Sequence, residues 1–162
     1  MKFKIPVFIL FICSLFLCGC HKEDTTTQAK FYYRNNQVNY KDNGTIGSES
    51  YAGTLDPLAY NELINAYLSG PNSQDLSNPF PTGTTLVALT IEQDKASVTL
   101  TSNFADITGI DLTIACACLS LTVKEITGCG TAEISAQDAL LDNQQSIIID
   151  TNAIQLTDHL HP

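Results

Sequence analysis

Histidine is almost missing from this chain: only His21, His159 and His161 occur, all near its ends. A Ser-His-Asp or Cys-His centre would have to be assembled from the segments least suited to hold catalytic geometry. The local signatures of common chemistries are also missing. There is no G-x-S-x-G elbow, H-E-x-x-H pair, phosphate loop or dinucleotide glycine fingerprint. Positive charge is scarce, with 8 basic residues against 17 acidic ones and a formal net charge of -9. Such a surface repels nucleic acid and anionic headgroups, and favours neutral or basic partners.

What the chain does have begins at its N-terminus. Lys2 and Lys4 precede an apolar run from Ile5 to Leu17, interrupted only by Ser14, which suits a signal-peptide core and is short for a bilayer span. The run closes on Leu17-Cys18-Gly19-Cys20, which resembles the bacterial lipobox. That resemblance implies acylation of Cys20 with palmitate-type chains, loss of residues 1–19 and anchoring to the outer face of a membrane. Buried methylenes contribute about 0.8 kcal/mol each, so two or three acyl chains suffice for a lasting anchor. Removing Lys2 and Lys4 from the 8 basic residues leaves 6 against 17 acidic ones, a net -11. The remaining residues, 20–162, suit one domain with a real core.

Cys13 and Cys18 leave with the leader and Cys20 is lipidated, so Cys116, Cys118 and Cys129 are what the domain keeps. Three thiols cannot form a complete set of internal disulfides, and the Cys-Ala-Cys spacing does not match a four-cysteine zinc site. On a helix Cys116 and Cys118 point about 160° apart, which predicts core thiols rather than a redox pair.

Residues 20–29 read as a polar tether. Phe31-Tyr32-Tyr33-Arg34 predicts a strand, Asn35-Asn36 a turn, Val38 and Tyr40 a second strand, and Asn43-Gly44 another turn. Asp56 and Pro57 open a helix whose stripe is Tyr60, Leu63, Ile64, Tyr67 and Leu68, stopped by Gly70-Pro71. Val87, Leu89 and Ile91 alternate, then Ala96, Val98 and Leu100, with a turn at Gln93-Asp94-Lys95, which predicts a hairpin. A second helix is predicted from about Asp111 to Ile126, burying Leu112, Ala115, Leu119, Val123 and Ile126 on a sheet and leaving Thr113, Ser120 and Lys124 opposite. After Gly128-Cys129-Gly130, Ala132, Ile134 and Ala136 predict a strand, and Ile147-Ile148-Ile149 a well-buried one. Residues 154–162 read as a loose tail.

The stretch from Leu63 to Phe104 resembles a GerMN domain. It contains Leu68-Ser69-Gly70-Pro71, Pro81-Thr82-Gly83-Thr84, the hairpin, and Val98-Thr99-Leu100-Thr101-Ser102-Asn103-Phe104. The similarity continues through Leu119-Ser120-Leu121-Thr122 into the strand after Gly130, and back to Phe31–Tyr40. The resemblance implies a small α/β module found in lipoproteins and in sporulation or spore-germination proteins of Gram-positive bacteria, and not known as an enzyme. Two departures stand out. Family members often have an acid after the valine of the second hairpin strand, where this chain has Thr99, and sporulation members can carry two copies where one fits here.

Three weaker signals compete with bland alternatives. Asp158, His159 and His161 could bind a metal, but sit on the tail. Glu92 and Asp94 could be an acid-base pair, but flank a turn. Phe31, Tyr32, Tyr33, Tyr40, Tyr60 and Tyr67 could form a contact surface, although most are expected in the core. The sequence therefore predicts an α+β domain over 30–153, a two-layer sandwich with two helices on one mostly antiparallel sheet. It would act as a non-enzymatic membrane-anchored module that binds a protein partner of the envelope and needs no cofactor. The alternative, a solute- or ligand-binding lipoprotein, requires a sizeable apolar pocket.

Overall fold

A computed structural model describes residues 29–37, 44–53 and 55–156. The leader, Cys20, the Val38–Tyr40 strand and the Asp158/His159/His161 group lie outside the described residues.

Nine elements follow in order: β1 (Lys30–Asn35), β2 (Ile46–Ser50), α1 (Tyr60–Leu68), β3 (Leu76–Ser77), β4 (Leu86–Glu92), β5 (Lys95–Leu100), α2 (Gly109–Thr127), β6 (Thr131–Ala136) and β7 (Ile147–Asp150). The α+β class holds, with two helices and mostly antiparallel strands. The strands divide into two sheets rather than one, ordered β2-β1-β3 and β4-β5-β6-β7.

The entry to α1 follows the sequence signals. The Asp56 carboxylate accepts from the Leu58 N–H at 2.9 Å, and Pro57 opens a 3-10 turn that leads into the helix. Leu63, Ile64, Tyr67 and Leu68 are buried as one stripe. The hairpin closes in two residues, Gln93 and Asp94, with Glu92 paired to Lys95. On β5 the inward residues Ala96, Val98 and Leu100 are fully buried. On β4 an extra residue, Val87, shifts the register between Leu86 and Ala88. Val87 and Ile91 are 44% and 41% exposed, because among the described residues β4 has a neighbouring strand on one side only.

From β5 the chain crosses through α2 to β6, which lies parallel to β5 in the register Lys95↔Thr131 to Leu100↔Ala136. Two residues fix that return. Gly128, at φ 79°, ends α2 in the left-handed conformation and donates its N–H to the Lys124 carbonyl at 2.7 Å. Asp94 then accepts from the Gly130 N–H at 2.6 Å, and its carbonyl accepts from Thr131. A Cβ on Gly130 would stand 2.6 Å from the Asp94 Oδ2, so a larger residue there would displace the carboxylate from this bond.

The predicted stripe of α2 is buried in the main core. Its other side is not the polar face the helical period predicts. Thr113 is exposed and Lys124 half-buried, but Ser120 is fully buried. A second cluster of Tyr32, Ile114, Cys118 and Leu121, flanked by Ile46 and Ile154, covers a further side of the helix, the one that carries Thr122. The turn Thr151–Ala153 also packs on α2, where Lys124 Nζ meets Asn152 Oδ1 at 2.7 Å.

The split into two sheets has a cause in β1. Its edge facing the helices is occupied by side chains. The Tyr32 N–H donates to Thr122 Oγ1 at 2.9 Å, the Tyr32 carbonyl accepts from the Tyr67 hydroxyl at 2.8 Å, and the Lys30 N–H reaches Glu125 at 3.4 Å. With those groups satisfied, β1 has no edge to offer the larger sheet there. The Ile147–Ile149 run is an edge strand rather than a well-buried one. Ile148 is 65% exposed, since β7 pairs with β6 alone and turns one face to α2.

Candidate functional site

Of the aromatic residues singled out in the sequence, Phe31, Tyr33 and Tyr67 join Tyr51, Phe80 and Phe104 in a row of rings through the core. Tyr51 stacks on Phe31 at 5.0 Å, Phe31 meets Tyr67 edge-on at 5.5 Å, Tyr67 meets Phe80 at 5.4 Å, and Phe80 meets Phe104 at 6.0 Å. Tyr33 joins through Tyr67 at 4.9 Å and donates its hydroxyl to the Tyr67 carbonyl at 3.0 Å. Burial pushes the Tyr67 phenol well above its ordinary value. Tyr32 is raised by burial and then by the Glu125 carboxylate beside it. Tyr60 is partly buried. Tyr32, Tyr33 and Tyr67 are neutral packing groups whose hydroxyls are bonded, and Tyr40 lies outside the described residues.

Two clefts open at the ends of this row. One, of about 330 Å³, lies between the segment Ser77–Pro81 and the start of α2. Phe80, Ile107 and Ile114 give it an apolar lining, and Arg34, Asp106 and Asp111 are its charged residues. Arg34 sits at the end of β1 and reaches Asp111 in the first turn of α2 at 2.7 Å, both about half exposed. Because Arg34 is offset by Asp111, Asp106 leaves the cleft net negative. The other cleft, of about 310 Å³, is lined by Phe31, Tyr33 and Tyr51. At its rim Glu49 accepts from the backbone N–H groups of Asn72 and Ser73, each at 3.0 Å, which ties the segment after α1 to β2. Both clefts are open to solvent and hold no nucleophile beside a base. They can seat a side chain of a bound protein.

The remaining candidates fall apart spatially. Cys116 belongs to the main core and Cys118 to the second cluster, with Cys129 buried beyond the helix, and all three are free thiols. Burial raises Cys116 and Cys118 to about 12, so neither is a thiolate at neutral pH. Glu92 is exposed on β4 while Asp94 is committed to Gly130, so the two acids do not work on a common point. Thr99, where the family often has an acid, meets Ser135 at 3.1 Å on the outer face of the larger sheet. Beside it Glu133 gathers Lys95 Nζ at 2.8 Å, Ser146 Oγ at 3.0 Å and Ser97 Oγ at 3.2 Å. No motif in the sequence announces this cluster. Alternation places Lys95, Ser97 and Glu133 outward, but only the parallel β5–β6 pairing makes them neighbours.

The family model for the sporulation and spore germination domain, Germane, matches residues 30–142. The chain belongs to that family. Among solved structures it is similar to the first GerMN domain of the sporulation protein GerM from Bacillus subtilis, at 12% identity and a TM-score of 0.57, over 76% of this chain and 94% of that one. It is also similar to a Clostridium perfringens protein described as a candidate lipoprotein, at 16% identity and a TM-score of 0.50, over 76% of this chain and 89% of that one. No curated protein matches. Among the described residues no helix is long and apolar enough to cross a membrane.

Proposed function

We propose that this Germane-family chain is an extracytoplasmic lipoprotein, held on the cell membrane through Cys20, that acts by protein contact in spore formation, germination or envelope assembly. The observation that carries the proposal is the family match over residues 30–142. The lipobox-like Leu17–Cys20 and the likeness in fold to a protein described as a candidate lipoprotein support the anchor. The clefts support contact rather than catalysis, since they offer apolar lining and carboxylates without a nucleophile-base pair.

The test replaces the chromosomal gene in a spore-former with three versions: one lacking residues 30–142, one carrying Cys20→Ala, and one carrying Glu92→Gln. The first two should lower the yield of spores or slow their germination, and the third should leave both unchanged. Cys20→Ala should also lose its acyl label and migrate as the uncleaved precursor. Normal sporulation and germination without residues 30–142 would refute the proposal. So would turnover of peptidoglycan by the purified protein that a single carboxylate substitution abolishes without unfolding it.

A further inference from the structure

Among the described residues the larger sheet has two open edges, β4 and β7, and they are guarded unequally. β7 has four residues and ends in an aspartate whose carboxylate caps the following turn. β4 has seven residues, and the six from Leu86 to Ile91 carry no charge and no proline. Edge strands are normally blunted by charge, proline, brevity or a bulge. The single irregularity in β4, the extra residue Val87, lies at its start and leaves Ala88–Glu92 in regular register.

The backbone of this edge is unsatisfied in a defined pattern. A two-residue hairpin closes on the Glu92–Lys95 pair, so Glu92, Thr90 and Ala88 direct their N–H and C=O groups toward β5. Leu89 and Ile91 then direct theirs outward, and among the described residues no hydrogen bond from another element reaches them. Among the described residues, the one side-chain hydrogen bond to the backbone of β4 comes at its start, where the Asn65 side-chain oxygen of α1 accepts from the Leu86 N–H at 2.9 Å.

We propose that this edge pairs with the same edge of a second copy of the chain, antiparallel about a twofold axis at Leu89. The sequence of β4 is complementary to itself in that register. Leu89 faces its symmetry mate, Ala88 faces Thr90, and Val87 faces Ile91, so the two side chains left 44% and 41% exposed cover one another twice. Glu92 falls opposite Leu86, and no acid meets an acid. The pairing is also in phase with the backbone, because Leu89 and Ile91, whose N–H and C=O groups point away from β5, fall opposite residues of the same parity. The complementarity of the side chains then selects Leu89 as the axis. The formal charge of -9 opposes contact between copies elsewhere, which makes an uncharged stretch of strand the place where they can meet. The two four-stranded sheets become one continuous eight-stranded sheet, an isologous arrangement that closes and does not propagate.

The full-length lipoprotein in non-ionic detergent tests this by sedimentation across protein and salt concentration. Self-association should be limited to dimers and should tighten as salt screens the acidic surfaces. Val87→Lys with Ile91→Lys should raise the dimer Kd by at least about tenfold. Val87→Lys with Ile91→Glu should recover most of it, because each lysine then faces a glutamate of the mate. Both positions are exposed, and matching circular dichroism spectra would show the fold intact in both variants. A mixture of Ala88→Cys and Thr90→Cys chains should form an intermolecular disulfide that neither variant forms alone, since only the mixed pair is directly opposite. Equal cross-linking by Ala88→Cys alone, no rescue by the charge pair, or a monomer at all concentrations would each overturn the proposal. Protection of the β4 amides by the strand of a different protein, with the chain itself monomeric, would also overturn it.

Discussion

The two long sides of α2 are both buried, by different means. Toward the larger sheet, Leu112, Ala115, Leu119, Val123 and Ile126 meet the inward residues of β5 and β6, and nearly every contact is between apolar atoms. Away from it, Ile114, Cys118 and Leu121 share their side of the helix with Thr122, which is fully buried. One side is held by exclusion of water alone. The other also carries the hydrogen bonds that hold β1 beside the helix, so its energy depends on polar groups finding partners as much as on area. The difference shows how a helix with one readable stripe comes to be buried on a second side: that enclosure belongs to β1 and to the segment after β7, not to the helix.

The sharpest way to test this contrast is to remove volume on one side and a polar atom on the other. Leu119→Ala creates a cavity at a position with no exposure and should cost roughly 3–4 kcal/mol in urea unfolding of residues 29–162. Thr122→Val keeps the shape but removes the acceptor of the Tyr32 N–H. It should cost about 2 kcal/mol, and hydrogen exchange should accelerate at Tyr32 more than elsewhere on β1. If Thr122→Val were neutral while Leu119→Ala cost as expected, the polar side would be packing only.

Much of the larger sheet is legible in the amino-acid sequence, because its signals are local. Asp56-Pro57, the alternation of Ala96, Val98 and Leu100, the helix-ending Gly128, and Ala132, Ile134 and Ala136 each state an element within a few residues. What escapes depends on pairing across the chain. β2 reads Ile-Gly-Ser-Glu-Ser, with one large apolar residue, so it has no alternation to detect and exists because β1 supplies its ladder. The separation into two sheets turns on Thr122 and Tyr67 taking the edge of Tyr32, residues 90 and 35 positions away. The clefts are illegible for the same reason. Arg34 and Asp111 are 77 residues apart, and no local pattern joins them. The aromatic residues are visible as a group, but their arrangement as an interior row follows from α1 lying between β1 and Phe80.

Ser120 offers a test of opposite sign. It is fully buried, and among the described residues its Oγ has no hydrogen-bond partner. Removing a buried hydroxyl that makes no bond relieves a desolvation penalty, and alanine is also the better helix former. Ser120→Ala should therefore stabilise the domain by about 1 kcal/mol in the same unfolding assay. A loss of stability would mean that the hydroxyl is satisfied in solution, and that burial of a polar atom on α2 is not by itself a cost.

Glu133 supplies the control, a polar network of similar make-up on the outer face of the sheet, where solvent can substitute for lost partners. Hydrogen bonds from Lys95, then Ser146, hold its carboxyl below the ordinary 4.5, and the bond to Glu133 raises Lys95 above its ordinary 10.5. A depressed carboxyl contributes stability that is complete above pH 4.5 and disappears as pH falls through the folded value. A raised amine contributes stability that is complete below pH 10.5 and disappears as pH rises through its own folded value. Between those limits the network is intact and stability should be flat with pH. Because the side chains are 26% and 41% exposed, water and salt screen most of the attraction, and Glu133→Gln at pH 7 should cost less than about 1 kcal/mol. The substitution should also flatten the acid limb below pH 4.5 and leave the alkaline limb to report Lys95 without its carboxylate. A cost at pH 7 as large as that of Thr122→Val would mean that exposure does not set the worth of a polar contact in this fold, and the distinction between the enclosed side of α2 and the open face of the sheet would fail.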